Sequence, residues 1–304
     1  MKTMKLKKII VCIGSIILAG NAAAQDGTVK ELQAASTKVI KSMDSSGWKR
    51  GGTFILNLNQ GSLSNWAAGG EQNTFGINGM LNYAVQYKKD RNTWDNFFEL
   101  ALGFQNATSY NKFRKIDDRL DITSKYARQI GKGFWGYGVL ANLNTQMLAG
   151  YDYGSVTSTK ISGFFSPGKI LLSPGFSYQP NDKFSFFISP ATARLLLKTD
   201  PDFFAMKMFG VAPNKKSYLE LGAFASTRFT TPLAAWATYT GRLDLFSNYK
   251  RNPQNVDVLM TNLLTLKFTK ILATNISLDI IYDDDIIKRT QVKEILGVGL
   301  TVNL

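Results

Sequence analysis

The side chains with chemistry to offer in this chain are charged ones, set at even spacing between apolar neighbours. Asp95 and Glu99 alternate with Trp94, Phe98 and Leu100, and Arg119, Asp121 and Lys125 keep the same step. Glu220 and Arg228, Arg242 and Asp244, Asp257 and Lys267, and the more distant Asp279 and Lys293 complete the set. Acids and bases gathered on one polar surface can pair with each other or sort passing ions by charge. They cannot do imidazole or thiolate chemistry. The chain has no histidine, and its single cysteine, Cys12, lies in an apolar leader. That excludes a Ser-His dyad, a Cys-His pair and imidazole metal ligation. Carboxylate acid–base chemistry remains open, but the sequence points away from an enzyme and requires no cofactor.

A second group lies in polar, turn-rich segments. Trp66 stands before Ala67, Ala68, Gly69, Gly70 and Glu71, and Asp283, Asp284 and Asp285 are consecutive. Tryptophan among small residues suits an ordered loop packed on its own rim, or a partner-binding surface. The three aspartates, with Asp257, offer oxygen ligands to Ca²⁺ but lack the spacing of a calcium loop. Solvated charge and turn formation is the simpler reading, and no metal site is expected.

Charges in strict alternation must be carried by strands. From Thr53 to Leu304, about twelve segments place apolar residues on every second position, the period of a two-faced strand. Between Asn255 and Thr269 one face carries Val256, Val258, Met260, Leu264, Leu266 and Phe268. The other carries Asn255, Asp257, Thr261, Thr265, Lys267 and Thr269. Strands are predicted near 52–60, 73–88, 93–105, 117–130, 133–146, 168–179, 183–190, 216–230, 234–248, 255–269, 272–283 and 292–304. The sixth and seventh are the weakest, which leaves about ten or about fourteen strands as alternatives. Their connections alternate short and long. This predicts an all-β fold: a transmembrane antiparallel up-and-down β-barrel preceded by a short N-terminal periplasmic helix.

In such a barrel the apolar faces meet lipid, because a charge there costs about 2–4 kcal/mol at the bilayer midplane. The thirteen charged residues above, of mixed sign, then line the lumen. Eight strands leave a packed interior and sixteen an open channel, so about twelve predict a narrow or occluded bore. Trp94, Trp135, Tyr87, Tyr126, Tyr137, Tyr178 and Tyr239 fall near strand ends, where an aromatic girdle would sit.

Residues 1–24 have the form of a signal peptide: basic Lys2, Lys5, Lys7 and Lys8, an apolar core, then Ala22-Ala23-Ala24. Residues 25–47 form a periplasmic N-terminal segment with helical spacing of Val29, Leu32, Val39, Ile40 and Met43, and 48–304 form the barrel. The formal net charge of +14 is scattered over turns and polar faces, without a basic helix or arm. Such a spread fits anionic lipid headgroups and lipopolysaccharide better than nucleic acid. Gly299, Val302 and Leu304 are similar to the C-terminal signal read by barrel-assembly machinery, although leucine replaces the usual final aromatic.

Several segments together resemble one family. They are Trp66 to Glu71, Asp117 to Tyr126, Pro180-Asn181-Asp182, Asn252 to Asp257 and Tyr282 to Asp285. They resemble an uncharacterised Bacteroidota domain-of-unknown-function family regarded as outer-membrane barrels, over about Trp48 to Leu304. The resemblance implies that fold, in the outer membrane of a Gram-negative bacterium, and no activity. The functional expectation is a narrow passive channel or transporter for small polar solutes. The alternative is a non-conducting scaffold that binds an envelope protein or surface glycan through Trp66, Glu71 and Asp283 to Asp285.

Overall fold

The computed structural model describes residues 46–62, 71, 73–110, 112–153, 157–181, 183–269, 272–283 and 287–303. The leader, the expected N-terminal helix, Trp66, Asp284 and Asp285 lie outside the described residues. In chain order the strands are β1 (Gly47–Ser62), β2 (Asn73–Lys89), β3 (Asn92–Ala107), β4 (Arg114–Gln129) and β5 (Trp135–Thr145). A small hairpin follows, β6 (Gly150–Tyr153) and β7 (Ser158–Ser162). Then come β8 (Gly168–Asn181), β9 (Phe184–Leu197), β10 (Ser217–Ala234), β11 (Ala237–Asn248), β12 (Val256–Lys267), β13 (Leu272–Asp283) and β14 (Ile287–Asn303).

Apart from β6 and β7, these strands form one closed antiparallel barrel in which each pairs with its neighbour in sequence and β5 pairs with β8. Twelve strands thus make the ring, as the alternation predicts. Closure abolishes free sheet edges, so each strand in the ring pairs with a neighbour on both sides. The seam joins β1 to β14 from Thr53↔Asn303 to Asn57↔Gly299. A Cβ at Gly299 would stand 2.1 Å from the Asn57 side-chain oxygen and 2.6 Å from the Leu56 carbonyl. Only glycine lets the two strands approach this closely.

The wall is inside-out relative to a soluble protein. Phe54, Leu58, Phe98, Leu172, Phe176, Ile188, Leu221, Phe229, Leu243, Met260, Leu278, Val298 and Leu300 are exposed on the outside. Glu99, Arg119, Asp121, Glu220 and Asp279 are buried on the inside. At the short-turn end the outer surface carries stacked aromatics. Trp48 lies 4.8 Å from Tyr87 and 5.9 Å from Trp94, and Trp135 lies 5.0 Å from Tyr178.

Three boundaries move by five residues or more from the predicted ones. β1 begins at Gly47 rather than near 52, because backbone pairing with β2 continues through the glycine-rich start, from Gly47↔Lys88 onward. β14 begins at Ile287 rather than near 292. β9 runs to Leu197 instead of ending near 190. Its pairing with β10 skips at Pro190 and Ala191, where the register shifts between Gly222 and Phe224. Such a bulge inserts extra residues and resets which parity faces inward. Phe187 and Ser189 face the lumen before it, Thr192 and Arg194 after it.

Candidate lumen site

Residues of β2 to β5 and β8 to β13 enclose a cavity of about 260 Å³. Its lining runs from Gln86, Asp95 and Lys183 near the short turns to Lys169, Arg194, Asp257 and Asp283 near the long connections. Three layers of polar contacts are stacked along it. Nearest the short turns, Lys125 lies 3.5 Å from Asp95, which also accepts a 3.0 Å hydrogen bond from Gln86.

In the middle layer Arg119 faces Glu99 at 3.7 Å, with Glu99 only 1% exposed. Asp121, 0% exposed, accepts hydrogen bonds from Asn142 at 3.0 and 2.9 Å and from Thr123 at 3.1 Å. Arg242 donates from Nε to Asp244 at 2.6 Å. Arg228 stands directly across the β10–β11 ladder from Arg242 and lies 5.8 Å from the centre of the Phe97 ring. Phe97 belongs to β3, five steps round the ring from β10 by the shorter way. The Arg228–Phe97 contact therefore crosses the bore and narrows it.

In the layer nearest the long connections Arg194 donates to Glu220, and to Asp257 at 2.8 Å. Its guanidinium lies 3.9 Å from the centre of the Phe246 ring, and Asn248 donates to Glu220 at 3.2 Å. Between the ionic layers Phe187, Phe224 and Phe246 form an apolar cluster with Leu140 packed against it. In the remaining wall, from β12 through β14 to β2, Asn57, Asn82, Thr261, Thr265 and Asn275 are buried alongside the acids Asp279 and Asp283.

Of the residues singled out in the sequence, Asp95, Lys125, Arg228, Arg242, Asp244 and Asp257 line the cavity, and Glu99, Arg119, Asp121, Glu220 and Asp279 are buried in the inner wall. Lys267 has the inward parity but is exposed at the short-turn end. Lys293 stands opposite Asp279 in the β13–β14 ladder. Glu71 accepts hydrogen bonds from both the hydroxyl and the backbone N–H of Ser109, which ties the β1–β2 connection to the β3–β4 connection. The Ser109 hydroxyl, then its N–H, hold the Glu71 carboxyl below its ordinary range.

Asp283, the end of the predicted strand 272–283 and also read as an outer-loop binding residue, is the last residue of β13, 8% exposed, and its side chain lines the cavity mouth rather than a loop. The alternation continues through it, so its side chain turns inward. Sequence reading also missed Lys169, Arg194 and the lumen phenylalanines. Lys169 keeps the inward phase of β8 and was findable from that phase. Arg194 was hidden by the β9 bulge.

The long-connection end carries a folded cap made of the β5–β8 and β9–β10 connections. Lys160 of β7 pairs with Asp200 at 2.7 Å and Asp202 at 2.8 Å, at the start of a one-turn 3-10 helix, Pro201–Phe203. The hydrogen bonds it donates to Asp200 and then Asp202 hold the Lys160 ammonium well above its ordinary value. The same bond from Lys160 keeps Asp200 below its own. Lys198, 0% exposed, donates to the carbonyls of Met206, Ala212 and Phe204, while burial pushes its ammonium down.

A family model described as "Protein of unknown function (DUF3078)" matches residues 58–151. No curated protein matches the chain. Among solved structures, the translocator domain of the autotransporter NalP from Neisseria meningitidis is similar at 9% identity and a TM-score of 0.39, over 90% of this chain and 92% of that one. An outer-membrane channel from Pseudomonas putida F1 is similar at 11% identity and a TM-score of 0.39, over 92% of this chain and 98% of that one. The NanC porin is similar at 11% identity and a TM-score of 0.37, over 82% of this chain and 97% of that one.

Proposed function

We propose that this protein spans an outer membrane and is a narrow passive channel for small polar solutes. The outer surface supports the membrane placement. Its exposed phenylalanines, leucines and valines encircle the barrel, and contiguous apolar surface of that kind is unstable against water. The channel reading rests on one observation, the cavity inside the ring with ionic groups at both ends and in its middle. Solutes that fit this bore exchange hydration for contacts with charged and amide side chains. The charged outer ends of the wall would meet lipid headgroups and lipopolysaccharide, and assembly would use the barrel-assembly machinery.

Planar-bilayer recording on refolded, leader-free protein tests the channel. Steady unit currents are expected. Silence from protein shown to be folded would overturn the reading.

The cap favours a second reading, a non-conducting scaffold that binds an envelope partner or surface glycan. Its ion pairs hold a shaped surface at the long-connection end, as a recognition site needs. On that reading Lys160→Gln, which frees the cap from Asp200 and Asp202, should abolish capture of a co-purifying partner.

A further inference from the structure

Arg119, Arg194 and Arg242 each meet a carboxylate in the lumen. Arg228 differs. Among the described residues it makes no ion pair or hydrogen bond; its guanidinium lies near the Phe97 ring, and Glu99, Asp244 and Asp95 act on it only at longer range. Its cross-ladder neighbour is another cation, Arg242, whose charge is matched by Asp244. A guanidinium in a narrow bore with no carboxylate in direct contact keeps its N–H donors available to an anion that enters. The planar fork of arginine is shaped to hold a carboxylate through two parallel hydrogen bonds.

The surroundings define the rest of the ligand. Ser185 lies opposite Arg228 in the β9–β10 ladder, and Phe187 lies opposite Ser226, one inward position away. Phe97, Phe187 and Phe224 line the same cavity as Arg228. Beside the cation, then, stand aromatic walls, with hydroxyls from Ser185 and Ser226 between them. The cavity, at about 260 Å³, is smaller than the roughly 300–1,000 Å³ that hold drug-sized molecules.

We propose that the lumen contains a binding site for a small monocarboxylate with an apolar body, the carboxylate on Arg228 and the body against Phe97, Phe187 and Phe224. The inference rests on the channel reading for the route by which the solute arrives, and it names the class of solute. Arg242 stays with Asp244. Phe97 sits on the opposite wall, so an occupant is held from both sides of the bore.

Binding of benzoate to leader-free protein in detergent micelles tests the site by calorimetry, with benzamide as the uncharged analogue of equal shape. Benzoate should bind at least tenfold more tightly than benzamide. Arg228→Gln should remove that preference, and Arg228→Lys should restore part of it. Heat-modifiable migration on gels and far-ultraviolet circular dichroism establish that each variant is folded. Phe97→Leu serves as a second variant that leaves the cation in place, and it should weaken benzoate and benzamide alike. Equal affinity for benzoate and benzamide, or benzoate binding unchanged by Arg228→Gln, would overturn the proposal. Bilayer recording separates the two readings. Steady currents without benzoate binding would defeat the site and leave the channel. Benzoate binding that depends on Arg228, in protein that passes no current, would defeat the channel and leave the site.

Discussion

From β3 through β5 and β8 to β11 the lumen wall is held by carboxylates, guanidiniums and phenylalanines, whereas from β12 round to β2 amides and hydroxyls make the larger share of the buried polar side chains, with Asp279 and Asp283 among them. On the first side Glu220 meets Arg194, and Asp244 meets Arg242. On the second, Thr265 of β12 donates to Asn275 of β13 at 2.9 Å, with Asn57 and Asn82 buried nearby in sequence order round the ring. Both sides satisfy the same need, to face a polar bore while carrying an apolar outer surface. They differ in what a missing partner leaves behind. A deleted carboxylate strands a full charge, whereas a deleted hydroxyl strands a dipole.

The largest effect should come from the ionic side. Glu220→Ala leaves the buried Arg194 with Asp257 alone and should cost about 3–5 kcal/mol, the range for breaking a buried pair by removing one member. Urea unfolding in lipid vesicles measures it. Thr265→Val, on the other side, keeps the volume and removes one hydrogen bond, for about 1 kcal/mol by the same assay. Equal costs would dissolve the distinction between the two sides.

The smallest effect lies outside the bore. Glu71 is held below its ordinary 4.5 by Ser109, so its contribution is present above the unfolded value and is lost as pH falls through the lowered folded one. Ser109→Ala should return the Glu71 titration toward 4.5, as read by NMR, while the lumen pairs stay as they were.

The strands were legible because the outer face imposes a strict rule. Phe75, Ile77, Leu81, Tyr83, Val85 and Tyr87 occupy alternate positions of β2, and no inward demand disturbs them. Where the backbone rather than the side chains carries the pairing, the rule fades. Gly47 to Gly52 has little apolar alternation yet continues β1. At Pro190 the parity itself changes, and Arg194 vanished from view with it. The candidate site was legible as a set of charges but not as a set of partners. Phe97 and Arg228 are distant in sequence and on strands that do not pair, so their meeting depends on how the ring closes. Asp283 was grouped with the outer loop because three consecutive aspartates look like a turn, although the predicted strand 272–283 already ended on it.

The seam at Gly299 carries a mechanical consequence. β1 is fastened to β2 along Gly47 to Ser62 but to β14 only along Thr53 to Asn57. A zipper parts where it has the fewest teeth. Lateral tension on this ring would concentrate on that short row, and a split there would turn a closed tube into an open curved sheet whose two free margins are the first and last strands of the chain.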